Sequence, residues 1–194
     1  YSAVKDVVIR LALAYPDISF RLANNGNTVL SVTAAHGQLF ERRLERIGQL
    51  IGSDFPENAL EINAERDGVR LTGFAGLPTL HRGTAKHQYL FVNGRPVKDK
   101  LLGGALRAAY MDVLARDRYP TAVLFVELPK KYVDVNVHPA KTEVRFKDPG
   151  IVRGLIVSAI RHAIHQGGTK TATSVSQSAL DRLQRARFRG YDAP

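Results

Sequence analysis

The most restrictive feature of the sequence is an apolar helical stripe that lies between two apolar strand segments. The stripe is formed by Leu101, Leu102, Ala105, Leu106, Ala109, Tyr110, Val113 and Leu114. Its spacings of one and three predict an amphipathic helix, and Asp99 stands where the N-cap of that helix should be. HQYLFVN before the helix indicates a strand that ends at Asn93-Gly94. TAVLFVEL after it is a continuous apolar run, which is typical of a strand covered on both faces.

Shorter patterns on either side complete a mixed secondary structure. The further predicted elements are a helix over residues 4–14, strands ISFRLA and NTVLSV joined by Asn24–Asn27, a helix over Gln38–Ile51, strands ALEINAE and VRLTGFA around Asp67-Gly68, a half-buried strand with Val133, Val135 and Val137, and a helix from Asp148-Pro149 to Gly167-Gly168. Helices interleaved with hairpins favour an α+β fold, and we predict a mixed sheet with helices packed on one face.

The charge of the chain points to a polyanionic partner. The formal net charge is +10 over 194 residues, and residues 93–165 carry thirteen basic against seven acidic side chains. A surplus gathered in one part of a chain is the pattern expected for nucleic-acid binding, although basic proteins without such a partner are common.

Composition excludes several other classes of protein. The chain has no cysteine, so a disulfide scaffold and a cysteine-based zinc site are ruled out, and a reducing cytosol is the natural setting. No apolar run approaches the roughly 20 residues of a membrane span. The sequence does not begin with Met, and we expect it to be a piece of a longer protein.

Two neighbouring motifs resemble a known family. QYLFVNGRPVKDKLLGGALRAAY is followed about twenty residues later by VDVNVHPAKTEVRF. Together they closely resemble the second, or transducer, domain of the MutL family of DNA mismatch repair proteins, over about residues 1–165. The resemblance implies the βαβ-containing fold shared by the transducer domains of gyrase-like ATPases and certain ribosomal proteins. It also divides the chain into a C-terminal remnant of an ATPase domain at residues 1–36, a transducer domain at 37–166, and a polar, basic linker or tail at 167–194.

The resemblance implies a coupling role in a larger protein. The transducer would link ATP binding in the adjacent ATPase domain to sequence-independent DNA binding and to partner signalling. The intact parent is expected to be a weak ATPase that uses ATP and Mg, dimerises with itself, and works with the mismatch-recognition protein MutS and downstream repair factors. We expect it in the bacterial cytoplasm.

Lys141 is the first residue to which the resemblance gives a role. It follows His138, Pro139 and Ala140, and the proline turns the chain out of the preceding strand. In the family this lysine contacts the γ-phosphate of ATP in the neighbouring domain, a task suited to a compact ammonium. Composition alone would favour a solvated loop lysine. His138 is expected to hydrogen-bond and fix the turn, and we expect no metal site around it.

A basic cluster at the start of the 101–114 helix is the candidate DNA contact. It consists of Arg95, Lys98 and Lys100, with Arg107 further along the solvent face. Free amide groups at a helix N-terminus favour phosphate. In the family, the basic residue at the position of Lys100 participates in DNA binding, so we expect phosphate-directed contacts that are independent of sequence.

Two other groups of arginines are less distinctive. Arg42, Arg43 and Arg46 are balanced by Glu41 and Glu45, which favours a solvated helix face. The tail arginines could touch DNA or keep a linker soluble: Arg182, Arg185, Arg187 and Arg189.

Catalytic motifs are not found in the sequence, and we expect no ATP turnover from the fragment alone. It has neither the magnesium-binding Asn helix, the D-x-G-x-G turn and the glycine-rich lid of gyrase-like ATPases, nor a Walker motif or nucleophile elbow. One alternative is a transducer of another gyrase-like ATPase. A second is a free-standing RNA-binding domain, which would need exposed stacking aromatics. Tyr89, Phe91, Tyr110 and Phe125 mostly fall on core stripes, which argues against that second alternative.

Overall fold

The computed structural model describes residues 2–167, which form a five-stranded mixed sheet, three small two-stranded pairs and four α-helices. The helices are α1 (Ser2–Ala14), α2 (Leu39–Ile51), α3 (Lys100–Ala109) and α4 (residues 149–167). The strands are β1 (Phe20–Asn24), β2 (Asn27–Val32), β3 (Ala59–Arg66), β4 (Val69–Gly76), β5 (His81–Arg82), β6 (Gln88–Val92), β7 (Arg95–Val97), β8 (Tyr119–Pro120), β9 (Ala122–Glu127), β10 (Val133–Asp134) and β11 (Arg145–Phe146). The α+β class and the mixed sheet are confirmed.

The main sheet has the strand order β3-β4-β9-β6-β7. Strands β6 and β9 are parallel, with Leu90 opposite Leu124, while the other neighbours are antiparallel. Parallel strands need a crossover connection, and α3 lies in the segment that supplies it. Asn93 and Gly94 have positive φ angles of 48° and 78° and turn β6 directly into β7, a strand that the sequence analysis did not predict.

Helices cover both faces of the sheet, which corrects the expectation of one covered face. Alternate residues of β9 explain this arrangement, because Leu124 and Val126 pack in a core with α3 and α4 while Val123 and Phe125 pack in a core with α1 and α2. Since side chains alternate across a strand, a strand that is apolar at every position needs cover on both sides.

Two predicted elements are shorter than expected. Helix α3 ends at Ala109 instead of Leu114: the backbone N–H groups of Tyr110 and Met111 donate to the carbonyls of Arg107 and Ala108, three residues earlier, and the chain turns there. The buried Tyr110 donates its hydroxyl to the carbonyl of Gly76. The strand predicted over Val133–Val137 ends at Asp134, whose Oδ1 accepts a hydrogen bond of 2.8 Å from the backbone N–H of Asn136. Such a side-chain contact two residues ahead replaces the ladder with a turn.

The prediction of a solvated arginine face on α2 is wrong. Arg46 is fully buried, with 0% of its surface exposed. Its guanidinium donates hydrogen bonds of 2.7–3.3 Å to the carbonyl oxygens of Ala12, Tyr15, Pro16, Ile18 and Thr33. Arg43 is half-buried, lies 3.7 Å from the ring centroid of Phe125, and donates to Thr72 Oγ1. Arg46 therefore joins α1 and the β1–β2 region to α2.

Part of the predicted C-terminal organisation lies outside the described residues. This applies to the helix stop at Gly168, the linker or tail at 168–194, and the arginines Arg182, Arg185, Arg187 and Arg189.

Candidate functional site

Lys141 lies in a loop that a short strand pair closes at its base. Strands β10 and β11 are antiparallel, with Val133 opposite Phe146, so residues 135–144 form the loop. Val144 and Phe146 are buried in the core shared with α3 and α4, whereas residues 138–140 are exposed. The loop is thus anchored in the core at one end of the pair and open to solvent at its tip.

Hydrogen bonds within the loop define the turn around Lys141. The backbone N–H of Lys141 donates to the carbonyl of His138 at 2.9 Å, and that of Ala140 donates to Nδ1 of His138 at 3.2 Å. This second bond requires the neutral imidazole to carry its proton on Nε2. Lys141 itself has a φ angle of 54°, in the left-handed region that disfavours residues with a side chain. Its ammonium donates to Oδ1 of Asn136 at 2.6 Å.

The start of α3 is hydrogen-bonded to the same loop. The backbone N–H of Lys98 donates to the carbonyl of Thr142 at 2.7 Å. Asp99 is the N-cap of α3, as predicted: its Oδ1 accepts from the N–H of Leu102 at 3.1 Å, and its Oδ2 accepts from the N–H of Val144 at 3.5 Å. One nearly buried carboxylate therefore serves both the helix end and the loop.

A small cleft gathers three of the predicted site residues. It has a volume of about 280 Å³ and is lined from α1, from the β7 connection and from the loop, with Arg95, Lys98 and Lys141 on its wall. The sequence analysis did not place α1 at this site. The four-residue spacing of Asp6 and Arg10 on α1 was an available signal for a helix-surface ion pair.

Asp6 is the acidic residue of the cleft. Its Oδ2 lies 3.0 Å from Nε of Arg10 and 3.2 Å from Nζ of Lys98. Burial raises the pKa of Asp6, but the hydrogen bonds and positive charges of Arg10 and Lys98 outweigh burial and leave that pKa below its ordinary value. The carboxylate therefore partly neutralises the cleft and links α1 to the residue beside the α3 N-cap.

Lys100 and Arg107 lie along α3 and outside this cleft. Lys100 is the exposed first residue of the helix. Arg107 is in the last turn, where its Nη2 donates to the carbonyl of Arg116 at 2.7 Å and its guanidinium lies 5.5 Å from the ring centroid of Tyr119. The two lie seven positions apart on the helix, which corresponds to roughly 10 Å along its axis.

Other kinds of site find little support in the described part of the chain. Tyr89, Phe91, Tyr110 and Phe125 are each 5% exposed or less, so these four rings are not available to stack nucleobases. Within residues 2–167, no group of three or more histidine and acidic side chains could hold a metal ion, and no helix there is long and apolar enough to cross a membrane.

Comparison with known sequences identifies close relatives. A family model described as "DNA mismatch repair protein, C-terminal domain" matches residues 47–165. The chain is 56% identical over 193 residues to a DNA mismatch repair protein MutL from Brucella anthropi, covering 100% of this chain and 30% of the relative. The corresponding protein of Rhodospirillum rubrum is 53% identical over 188 residues, covering 97% of this chain and 30% of the relative. The chain thus spans about 30% of the length of the curated relatives it matches.

Comparison with solved structures supports the fold. The N-terminal domain of a DNA repair protein superposes with a TM-score of 0.63 at 20% identity, covering 84% of this chain and 52% of that one. A variant of the MutL ATPase domain from Aquifex aeolicus superposes with a TM-score of 0.52 at 24% identity, covering 80% and 51%. The family model matches more than half of the residues and the relatives match nearly all of them. The chain therefore belongs to the MutL family of DNA mismatch repair proteins.

Proposed function

We propose that this chain is the transducer module of its mismatch repair protein, which couples ATP binding in an adjacent ATPase domain to sequence-independent DNA binding. The observation that carries the proposal is the hydrogen bond of 2.7 Å from the backbone N–H of Lys98 to the carbonyl of Thr142. Thr142 follows the candidate nucleotide contact, Lys141, and Lys98 belongs to the candidate DNA contact. A displacement of the loop would therefore be transmitted directly to the start of α3.

Lys141 is the residue that would contact the γ-phosphate. Its ammonium donates an exposed hydrogen bond to the amide oxygen of Asn136, a neutral acceptor that an anionic phosphate can replace. ATP would supply the negative charge that draws this ammonium from Asn136. The ATP and its Mg would be held mainly by the ATPase domain, with Lys141 as this chain's contribution.

The candidate DNA contacts suit a phosphate backbone. Arg95, Lys98, Lys100 and Arg107 are exposed, and Lys100 lies at a helix N-terminus, where free amide groups add to the attraction for phosphate. Contacts of this kind fix a duplex without reading its sequence. The intact protein would be a weak ATPase that dimerises and that signals to MutS and to downstream repair factors. Membership in the MutL family favours this role over that of a transducer from another gyrase-like ATPase.

Duplex binding by the 194-residue chain tests the DNA part of the proposal. Fluorescence anisotropy with a labelled duplex should show binding that weakens steeply as salt rises, because released counterions drive it. Lys100→Glu should weaken binding at least about tenfold. Arg21→Glu, the same charge change at an exposed arginine on β1, is the matched control. Salt-independent binding, or equal effects of the two variants, would count against the proposal.

ATP hydrolysis by the intact protein tests the nucleotide part. Lys141→Ala should lower the rate of hydrolysis about tenfold or more while the fold is retained. Addition of duplex DNA should change the hydrolysis rate of the wild type and have a smaller effect on Lys100→Glu. Wild-type turnover by Lys141→Ala would remove the nucleotide contact from the proposal.

A further inference from the structure

A second basic surface begins where α3 ends. A groove of about 410 Å³ lies between the last turn of α3 and the segment that leads to β8, and Arg107, Arg116 and Arg118 line it. A neighbouring cavity of about 440 Å³ shares Ala108 and Met111 with this groove and continues to α4, where Arg153 and Arg161 line it. We call the two together the arginine groove. It is continuous with the solvent face of α3 through Gly104 and Arg107.

The arginine groove is strongly positive. It presents five arginines against two nearby aspartates, Asp112 and Asp117. Arg161 pairs with Asp112 at 3.0 Å and Arg118 pairs with Asp117 at 3.7 Å, both at partly exposed positions. Within residues 2–167, neither of the exposed side chains Arg116 and Arg153 is paired with a carboxylate.

Hydrogen bonds hold the two walls of the groove in place. Arg107 donates to the carbonyl of Arg116 at 2.7 Å, which fixes the segment after α3 against the helix. Arg161 of α4 donates to the carbonyl of Ala108 at 3.2 Å, so a cation satisfies the C-terminal end of α3. The backbone segments that carry the arginines of the groove are therefore held in place by hydrogen bonds within the chain.

The strip of α3 between Lys100 and the arginine groove has no side chains that project outward. Gly103 and Gly104 occupy it, and a Cβ added at either position would meet nothing within 4 Å. Glycine weakens a helix interior relative to alanine, and packing within the described chain does not require it at these positions. Bare backbone allows a ligand to come close to the helix surface between the two groups of positive charge.

We propose that duplex DNA bound at Lys100 continues along the glycine strip of α3 into the arginine groove, where Arg116 and Arg153 contact its phosphates. This inference rests on the proposed function and adds a second contact region to it. The roughly 10 Å from Lys100 to Arg107 corresponds to about three base pairs along a duplex. Beyond Arg107, the exposed arginines Arg116 and Arg153 have no carboxylate partner within residues 2–167, so their charge is available to a phosphate backbone. The competing occupant is an acidic polypeptide, since Met111 is 68% and Val113 is 47% exposed beside the groove.

Alanine variants of the full 194-residue chain test the inference. Arg116→Ala and Arg153→Ala should each weaken duplex binding about threefold at low salt, and the double variant about tenfold. The slope of log affinity against log salt should fall by about two in the double variant, one for each phosphate contact removed. Arg21→Ala, which lines neither part of the groove, should bind within about twofold of the wild type. Circular dichroism melts establish that each variant is folded.

A further variant tests the path along α3. Gly104→Gln places a neutral side chain on the glycine strip without changing the charge, and it should weaken duplex binding several-fold. Wild-type affinity in this variant would overturn the passage along α3.

The remaining outcomes separate this inference from the proposed function. If Lys100→Glu weakens binding but the double arginine variant binds as the wild type does, the arginine groove is not a DNA contact and the proposed function stands. If the wild type shows no salt-dependent duplex binding, both the arginine-groove inference and the DNA part of the proposed function are overturned. If the double variant keeps its duplex affinity and loses affinity for a polyglutamate probe, the groove takes an acidic polypeptide and the DNA assignment is overturned.

Discussion

The ammonium of Lys141 lies 2.6 Å from Oδ1 of Asn136, five residues earlier in the same loop. The contact folds the lysine back across the turn, and the backbone of Lys141 has a φ angle of 54°. The residue thus combines a backbone conformation that suits glycine with a side chain that only a lysine supplies. Under the proposed nucleotide contact, the ammonium would account for a lysine at a position whose backbone conformation suits glycine.

Replacing Lys141 by glycine should stabilise the chain relative to Lys141→Ala, because glycine adopts the left-handed conformation without a steric cost. The difference in the free energy of unfolding should be about 1 kcal/mol, measured by urea denaturation. Both variants should lose ATP hydrolysis in the intact protein to the same extent, since both lack the ammonium. A glycine variant that is less stable than the alanine variant would contradict the strain argument.

Replacing Asp6 by asparagine should strengthen duplex binding and slightly destabilise the fold. The variant frees Lys98 and Arg10 from their carboxylate partner, so affinity at low salt should rise about threefold. The free energy of unfolding should fall by about 0.5–1 kcal/mol at pH 7, because the ion pairs are partly exposed. Asp117→Asn, which removes an exposed carboxylate outside the cleft, is the control for stability.

The difference in stability between the wild type and Asp6→Asn should depend on pH in a defined direction. The pKa of Asp6 is lowered in the folded chain, so its contribution to stability is present above the ordinary value of 3.8 and is lost as pH falls through the folded value. The stability gap between the wild type and Asp6→Asn should therefore be constant from pH 5 to pH 8 and shrink below about pH 4. Denaturation curves at pH 7 and pH 3 measure it, and an unchanged gap at pH 3 would refute the ion-pair account.

Replacing Arg46 by lysine should be severely destabilising despite the retained charge. A lysine has three donors on one nitrogen and cannot reach five carbonyl oxygens, so several buried acceptors would lose their partners. We expect a loss of about 3 kcal/mol or more in the free energy of unfolding. Arg21→Lys, at an exposed arginine, should change it by less than about 0.5 kcal/mol. Similar losses in the two variants would mean that the buried hydrogen bonds contribute little.

Replacing Gly104 by alanine should stabilise α3. An added Cβ meets nothing within 4 Å, and alanine favours a helix interior over glycine by about 1 kcal/mol. Thermal melts followed by circular dichroism should show a rise of several degrees in Tm. A fall in Tm would indicate that Gly104 is required for packing within the chain.

Much of the fold could be predicted from the sequence because the signals were local. The apolar run of β9 predicts a buried strand, and the pair Asp67 and Gly68 predicts a hairpin turn, each from a few adjacent residues. Both elements are present in the structure. The failures came from contacts distant in sequence. Tyr110, the C-cap of α3, bonds through its hydroxyl to the carbonyl of Gly76, thirty-four positions away, and helical spacing cannot reveal this partner.

Arg46 illustrates the same limit for charged residues. In the sequence it belongs to a balanced run with Glu45, which is typical of a solvated helix face. Its carbonyl partners come from α1 and from the segments around the β1–β2 hairpin, and no sequence pattern marks backbone oxygens. In the candidate site, too, the local motif could be predicted from the sequence, but the contacts between distant segments could not. The motif around Lys141 was recognisable, whereas its proximity to Asp6 and Arg10 depended on how α1 packs against the β7 connection.

The hydrogen bonds of Arg46, which connect α1 to α2, differ from the Asp6–Lys98 contact in their sensitivity to pH. Carbonyl oxygens do not titrate and a guanidinium keeps its proton at every physiological pH, so acid leaves the hydrogen bonds of Arg46 unchanged. Acid and salt both weaken the Asp6–Lys98 contact, which is a partly exposed ion pair. The N-terminal helix therefore has one contact, to Arg46, that acid leaves in place, and a second contact, to Lys98, that acid and salt both weaken.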